Sequence, residues 1–201
     1  MGDSFTTYWS RHEFVAARDK APPGFRLRVL FGGPHVSLPS LRRAGVRPGD
    51  WIYPVHVKDG LLHVLGRMKV ARVLTEAEFL EELARDGPNA EIAKHMVRPP
   101  GRMPPTLTYL AHVDTHAFLS PTCTDEAALG AEGTPLWFDL VAPREVVESL
   151  RYRSQRGERP LRHVADGKLT SISGVQGLYR LAPSSAAALA DLVGSRETDA
   201  S

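Results

Sequence analysis

Residues Arg47 to Val73, RPGDWIYPVHVKDGLLHVLGRMKVARV, constrain the fold more than any other stretch. Asp59-Gly60 stands between two apolar runs, and such a pair accepts the positive φ that a two-residue hairpin turn requires at both central positions. With those two residues as the loop, Lys58 opposes Leu61, Val57 opposes Leu62, His56 opposes His63, Val55 opposes Val64 and Trp51 opposes Met68. Side chains alternate faces along a strand, so one face collects Trp51, Tyr53, Val55, Val57, Leu62, Val64, Met68 and Val70 and reads as core. The other carries Ile52, His56, Lys58, Leu61, His63, Leu65, Arg67 and Lys69, a mixed surface that is basic at one end. Pro54 has no N–H to give a ladder and is expected at an edge or a bulge.

Around this hairpin the chain alternates short strands and helices. Residues 5–10 read as a strand, Arg11 to Asp19 as one or two helical turns, and Phe25 to Phe31 as a second strand that ends at Gly32-Gly33-Pro34. Thr75 and Glu78 form a capping box for a helix over Glu76 to Arg85. Pro88 to Val97 reads as a further helix, and Arg98 to Pro105 as a stiff proline-rich connector. Thr106 to Phe118 reads as strand, Pro121 to Gly133 as loop with a short helix at Asp125–Ala128, and Pro135 to Val141 as strand. Pro143 opens a helix that reaches about Tyr152. Gln155 to Lys168 is a basic segment with an Asp166-Gly167 turn, and Leu169–Ile172 and Gly177–Leu181 read as strands. Ser184 or Ser185 caps a last helix over Ala186 to Val193, ended by Gly194.

Five to seven strands interleaved with four or five helices give an α+β chain. Its 201 residues and 42% hydrophobic content suffice for one packed domain over residues 1–194, with a helical insertion at about 75–105 and a disordered tail at 195–201. Net charge is only +2, but residues 151–168 carry net +4 and leave −2 for the remainder, so the positive charge is concentrated. A single cysteine, Cys123, allows no disulfide within the chain and fits a reducing, cytoplasmic setting. No apolar run reaches the length of a membrane span, and the N-terminus lacks the order of a signal peptide.

Pro48-Gly49-Asp50, followed by strand, turn and a strand ending in Val70-Ala-Arg-Val73, resembles the central hairpin of the PUA-like superfamily, which includes the ASCH, EVE and YTH domains. Tyr8-Trp9-Ser10 resembles the opening strand of EVE domains. The resemblance covers about residues 5–75 and implies a small β-barrel with peripheral helices. It also implies binding of RNA or of a modified or flipped base. It points to Tyr8, Trp9 and Ser10 for a base pocket, because bases stack on aromatic side chains while cations hold phosphates. The phosphate contacts are then expected from Arg151, Arg153, Arg156, Arg159, Arg162 and Lys168, and from Arg67 and Lys69 on the hairpin.

The expected function is nucleic-acid binding without catalysis, with no cofactor. ASCH-type hydrolases and ribonucleases give an alternative, but they use a Gly-x-Lys-Thr turn, and the matching place here reads Gly32-Gly33-Pro34-His35-Val36-Ser37. His35 and Ser37 offer a base and a nucleophile with no nameable third partner. A non-enzymatic module whose basic face meets an acidic protein is the third reading. Two histidine sets have the spacing of metal ligands: His112, Asp114 and His116, which share a strand face, and His56 opposite His63. Both read better as polar strand surface, and no metal is expected. No family signature surrounds Cys123.

Overall fold

The computed structural model describes residues 2–20, 26–33, 39–84, 96–97, 108–109 and 125–199. The chain begins with β1 (Ser4–Tyr8), α1 (Arg11–Lys20), β2 (Val29–Gly32) and α2 (Leu41–Ala44). The hairpin follows as β3 (Trp51–Lys58), β4 (Leu61–Val64) and β5 (Met68–Thr75), then α3 (Glu76–Ala84). Two short paired strands, β6 (Met96–Val97) and β7 (Thr108–Tyr109), precede β8 (Glu126–Gly133) and α4 (Arg144–Ser149). The last part holds β9 (Arg151–Ser154), β10 (Gly157–Pro160), β11 (Val164–Ala165), β12 (Lys168–Leu169), β13 (Leu178–Arg180) and α5 (Pro183–Asp199).

The fold is mixed α+β. A seven-stranded sheet runs β13-β1-β3-β5-β8-β2, with β4 paired to β3, and only the β1–β3 pair is parallel. Among the described residues no strand pairing closes this sheet into a barrel. The segment after β8 does run beside β4, through hydrogen bonds from Trp137 N–H to Leu65 O, Val64 N–H to Leu140 O and Ala142 N–H to Leu62 O. That irregular segment replaces the strand expected over 135–141.

The hairpin turn forms as read: Asp59 and Gly60 have φ of 54° and 77°, and the pairs from Lys58↔Leu61 to Val55↔Val64 hold. Beyond Leu65 the register slips by one, so Met68 pairs with Ile52 and Trp51 with Lys69. The cause is the irregular stretch Leu65-Gly66-Arg67, in which Gly66 takes φ 143°. Because strand side chains have period two, one extra residue moves everything after it to the opposite face. Met68 and Val70 therefore join Ile52 in one core, while Tyr53, Val55, Leu62 and Val64 build the other. The expected division into a core face and an outer basic face is corrected accordingly. Both faces are covered, and His56 and His63 are buried at 3% and 8% exposure.

The Pro-Gly-Asp lead-in ties this hairpin to β1. Gly49 has φ 91° at the turn, and the buried Asp50 carboxylate accepts from Arg47 N–H at 2.8 Å and Asp3 N–H at 2.7 Å. Capping also follows sequence. Ser10 and Glu13 close α1 with reciprocal bonds, Thr75 and Glu78 do the same for α3, and Gly45 ends α2 at φ 84°.

Elsewhere the expected elements are revised. Asp125–Ala128 is not a helix: Glu126 to Gly133 form β8, paired on one side with β2 and on the other with β5, and Ala127, Ala128 and Leu129 are buried there. Met96 and Val97 are strand. The final helix runs through Gly194 to Asp199, five residues into the expected tail. Arg67–Glu197 at 3.2 Å and Arg196–Asp139 at 2.6 Å hold its last turns. His35, Ser37, His112, Asp114, His116, Cys123 and the proline-rich connector lie outside the described residues.

Candidate functional site

The basic segment folds into two separate hairpins. β9 and β10 pair antiparallel around Gln155-Arg156, and β11 and β12 pair around Asp166-Gly167. The second hairpin packs on the first turn of the protein's central hairpin, with Leu169 N–H donating to Gly60 O at 2.8 Å. Arg162 and Lys168 follow it there and remain exposed. The first hairpin lies against β13 through a bridge between Tyr152 and Leu181. The six basic residues are therefore not one surface.

What the first hairpin builds is a cleft of about 600 Å³, shared with α2 and β13. Arg43 enters it from α2, Arg153 and Arg159 from the hairpin, and Arg180 from β13, together with Tyr152 and Tyr179. Among the described residues no carboxylate lines it. Arg159 Cζ lies 4.9 Å from the Tyr179 ring centroid and 5.6 Å from that of Tyr152, so its guanidinium rests on two aromatic faces. The two rings sit 4.9 Å apart, and the Tyr179 hydroxyl donates to Gln176 O at 3.0 Å. Burial raises the Tyr152 phenol to about 12. Arg180 is fixed differently: it meets Asp3 at 3.4 Å, donates to Ala44 O at 3.5 Å and covers the Phe5 ring at 5.4 Å. Among the described residues, Arg43, Arg153 and Arg159 form no ion pair.

A second cleft of about 620 Å³ surrounds Trp51. The register slip brings Arg67 and Lys69 to the Trp51 ring, at 4.7 Å and 5.8 Å from its centroid. Here two carboxylates share the lining with the cations: Arg67 pairs with Glu197 at 3.2 Å and Lys69 with Glu132 at 3.0 Å, and both acids line the cleft beside Arg26 and Arg28.

Of the other expected site residues, Tyr8 and Trp9 are each 8% exposed, and they belong to opposite cores. Ser10 caps α1. Arg151 turns back, its guanidinium donating to Glu148 O and Leu150 O at the end of α4. Arg156 sits exposed at the hairpin turn beside the cleft without lining it. His56 and His63 each hold a backbone carbonyl through Nδ1, Trp9 O at 2.9 Å and Phe138 O at 3.2 Å. Phe14 stacks on His56 at 4.2 Å. Among the described residues no group of three or more His, Cys, Asp or Glu is placed to hold a metal, and no helix is long and apolar enough to cross a membrane.

Sequence reasoning missed Arg43 and Arg180. Arg180 had a signal, being the one charge in Gly-Leu-Tyr-Arg-Leu, an otherwise apolar strand. Arg43 had none, because only the packing of α2 against β13 brings it near. No protein-family model matches the chain, and no match was found among curated proteins or solved structures.

Proposed function

We propose that the protein is a nucleic-acid-binding domain of PUA-like type, cytoplasmic and without catalytic function, whose phosphate contacts come from the four-arginine cleft. The observation that carries this reading is the convergence of Arg43, Arg153, Arg159 and Arg180 on one concavity that, among the described residues, no carboxylate lines. Guanidinium groups match phosphate oxygens in a two-pronged geometry, and their planes also accept a stacked base. The PUA-like assignment rests on the Pro48-Gly49-Asp50 turn and the hairpin it opens, which lies at the centre of the sheet. Tyr179, whose ring is half-buried in the cleft, takes the aromatic role expected of the first strand.

Binding of a fluorescent single-stranded RNA or DNA, followed by anisotropy over a salt series, tests the proposal. Four phosphate contacts on a single strand give a log–log salt slope of about −2.8, which weakens binding roughly fifty-fold between 50 and 200 mM salt. Replacing Arg153 and Arg159 together by Ala should halve the slope. No binding at 50 mM, or binding that is indifferent to salt, would remove nucleic acid from consideration.

A further inference from the structure

The cleft's size and charge do not match evenly. About 600 Å³ corresponds to a space roughly 8 Å on a side, which admits a chain end or about one nucleotide and excludes a duplex. Four arginines nevertheless line it. Two carboxylates stand beside its arginines without lining it: Asp3 sits on Arg180, and Glu158 faces Arg153 across the hairpin register. An internal phosphodiester brings one negative charge into such a volume. A terminal phosphomonoester brings about −1.5 to −2 with three acceptor oxygens, and a polyphosphate brings more.

The four cations also divide into two kinds. Arg159 and Arg180 are held in place, one on two tyrosine rings and the other by Asp3, Ala44 O and Phe5. Gly45 makes the second placement feasible, since a side chain there would come within 2.8 Å of Arg180 Nη2. Arg43 and Arg153 are exposed, form no ion pair among the described residues and come from different elements, α2 and the hairpin. Two fixed donors and two adjustable ones suit a compact, multiply charged group approached from several sides.

Resting on the nucleic-acid reading above, we infer that the cleft recognises the phosphorylated end of a strand, a terminal phosphomonoester or polyphosphate attached to a nucleoside, in preference to phosphodiesters within the chain.

The test compares one ten-nucleotide RNA carrying a 5′-hydroxyl, a 5′-monophosphate, a 5′-triphosphate or a 3′-phosphate, with the label at the opposite end and salt fixed at 100 mM. The expected result is at least ten-fold tighter binding of one of the end-phosphorylated forms over the hydroxyl form, with inorganic pyrophosphate competing for the site. Arg159→Lys keeps the charge but loses the planar fork, and Arg43→Ala changes an exposed side chain. Each should cut the preference below three-fold while thermal unfolding is unchanged. Equal binding of all four strands overturns end recognition and leaves nucleic-acid binding standing. Failure of every strand to bind overturns both. A preference that persists in both variants, or that pyrophosphate does not reduce, removes the cleft as its source.

Discussion

Lowering the pH from 7.5 to 5.5 should destabilise this protein through His56 and His63. Burial is the main reason both imidazoles are pushed below their ordinary pKa. For His56 the bond to Trp9 O opposes that fall, while His63 and Lys58 add to it. For His63 the bond to Phe138 O opposes it, Lys58 adds to it, and Asp139 and Asp59 act against it. A histidine whose folded pKa is depressed stays neutral in the native state while the unfolded chain takes up its proton near pH 6.5. Its contribution is therefore complete above that value and lost as pH falls below it. For two imidazoles that remain neutral when folded, the ceiling is about 2.8 kcal/mol by pH 5.5, with a limiting slope of about 1.4 kcal/mol per pH unit for each. At a urea m-value of about 2 kcal/mol/M, the midpoint would fall by up to about 1.4 M. Urea unfolding at half-unit pH steps measures this, and the window ends before most carboxylates titrate. His63→Gln keeps a donor for Phe138 O and should roughly halve the pH slope, whatever it does to stability at pH 7.5. A midpoint that does not move between pH 7.5 and 5.5, or a slope unaltered in the variant, would refute the linkage.

Two further outcomes follow from packing. Phe14 is 3% exposed, stacks on His56 and meets Phe138 edge-on at 5.5 Å. Phe14→Ala should cost about 3–5 kcal/mol and lower Tm by roughly 6–20 °C in a calorimetric scan. Gly66→Ala places a methyl 2.6 Å from Thr134 Oγ1 and 2.9 Å from Pro135 O at φ 143°, and should cost roughly 2–5 kcal/mol in urea unfolding. Gly49→Ala, at φ 91° with open space around it, isolates the backbone share and should cost only about 1–3 kcal/mol.

The hairpin was legible because Asp59-Gly60 and strict alternation fix a register locally, and the four pairs nearest the turn form as read. The slip at Leu65-Gly66-Arg67 was not, because a single glycine inside an apolar run does not say whether a strand continues or gains a residue. That one residue decides whether Arg67 and Lys69 flank Trp51 or lie behind it. The helix cap at Thr75 was written in its own four residues, whereas Ser10, expected at a strand end and in a base pocket, caps α1 with Glu13. The strand at Glu126–Gly133 was hidden for the opposite reason: an Ala- and Gly-rich run has weak strand propensity, and it extends only because β2 and β5 pair with it on either side. The cleft was half legible. Arg153 and Arg159 stood out in a basic run, whereas Arg43 and Arg180, 137 residues apart in the chain, meet only when α2 packs beside β13.

β1 lies between β3 and β13, with Phe5 paired to Arg180 on its outer side. A ribosome adding about 5–20 residues per second needs roughly nine to thirty-five seconds to travel from one of these partners to the other. Throughout that interval the nascent strand has hydrogen-bonding groups on one flank with no native partner, and Phe5, fully covered in the finished protein, lacks the Arg180 side chain above it. The chain therefore leaves translation with its first strand as the last to be completed. A nascent product stalled before Leu178 would present an open edge to whatever chaperone, or other unfinished chain, reaches it first.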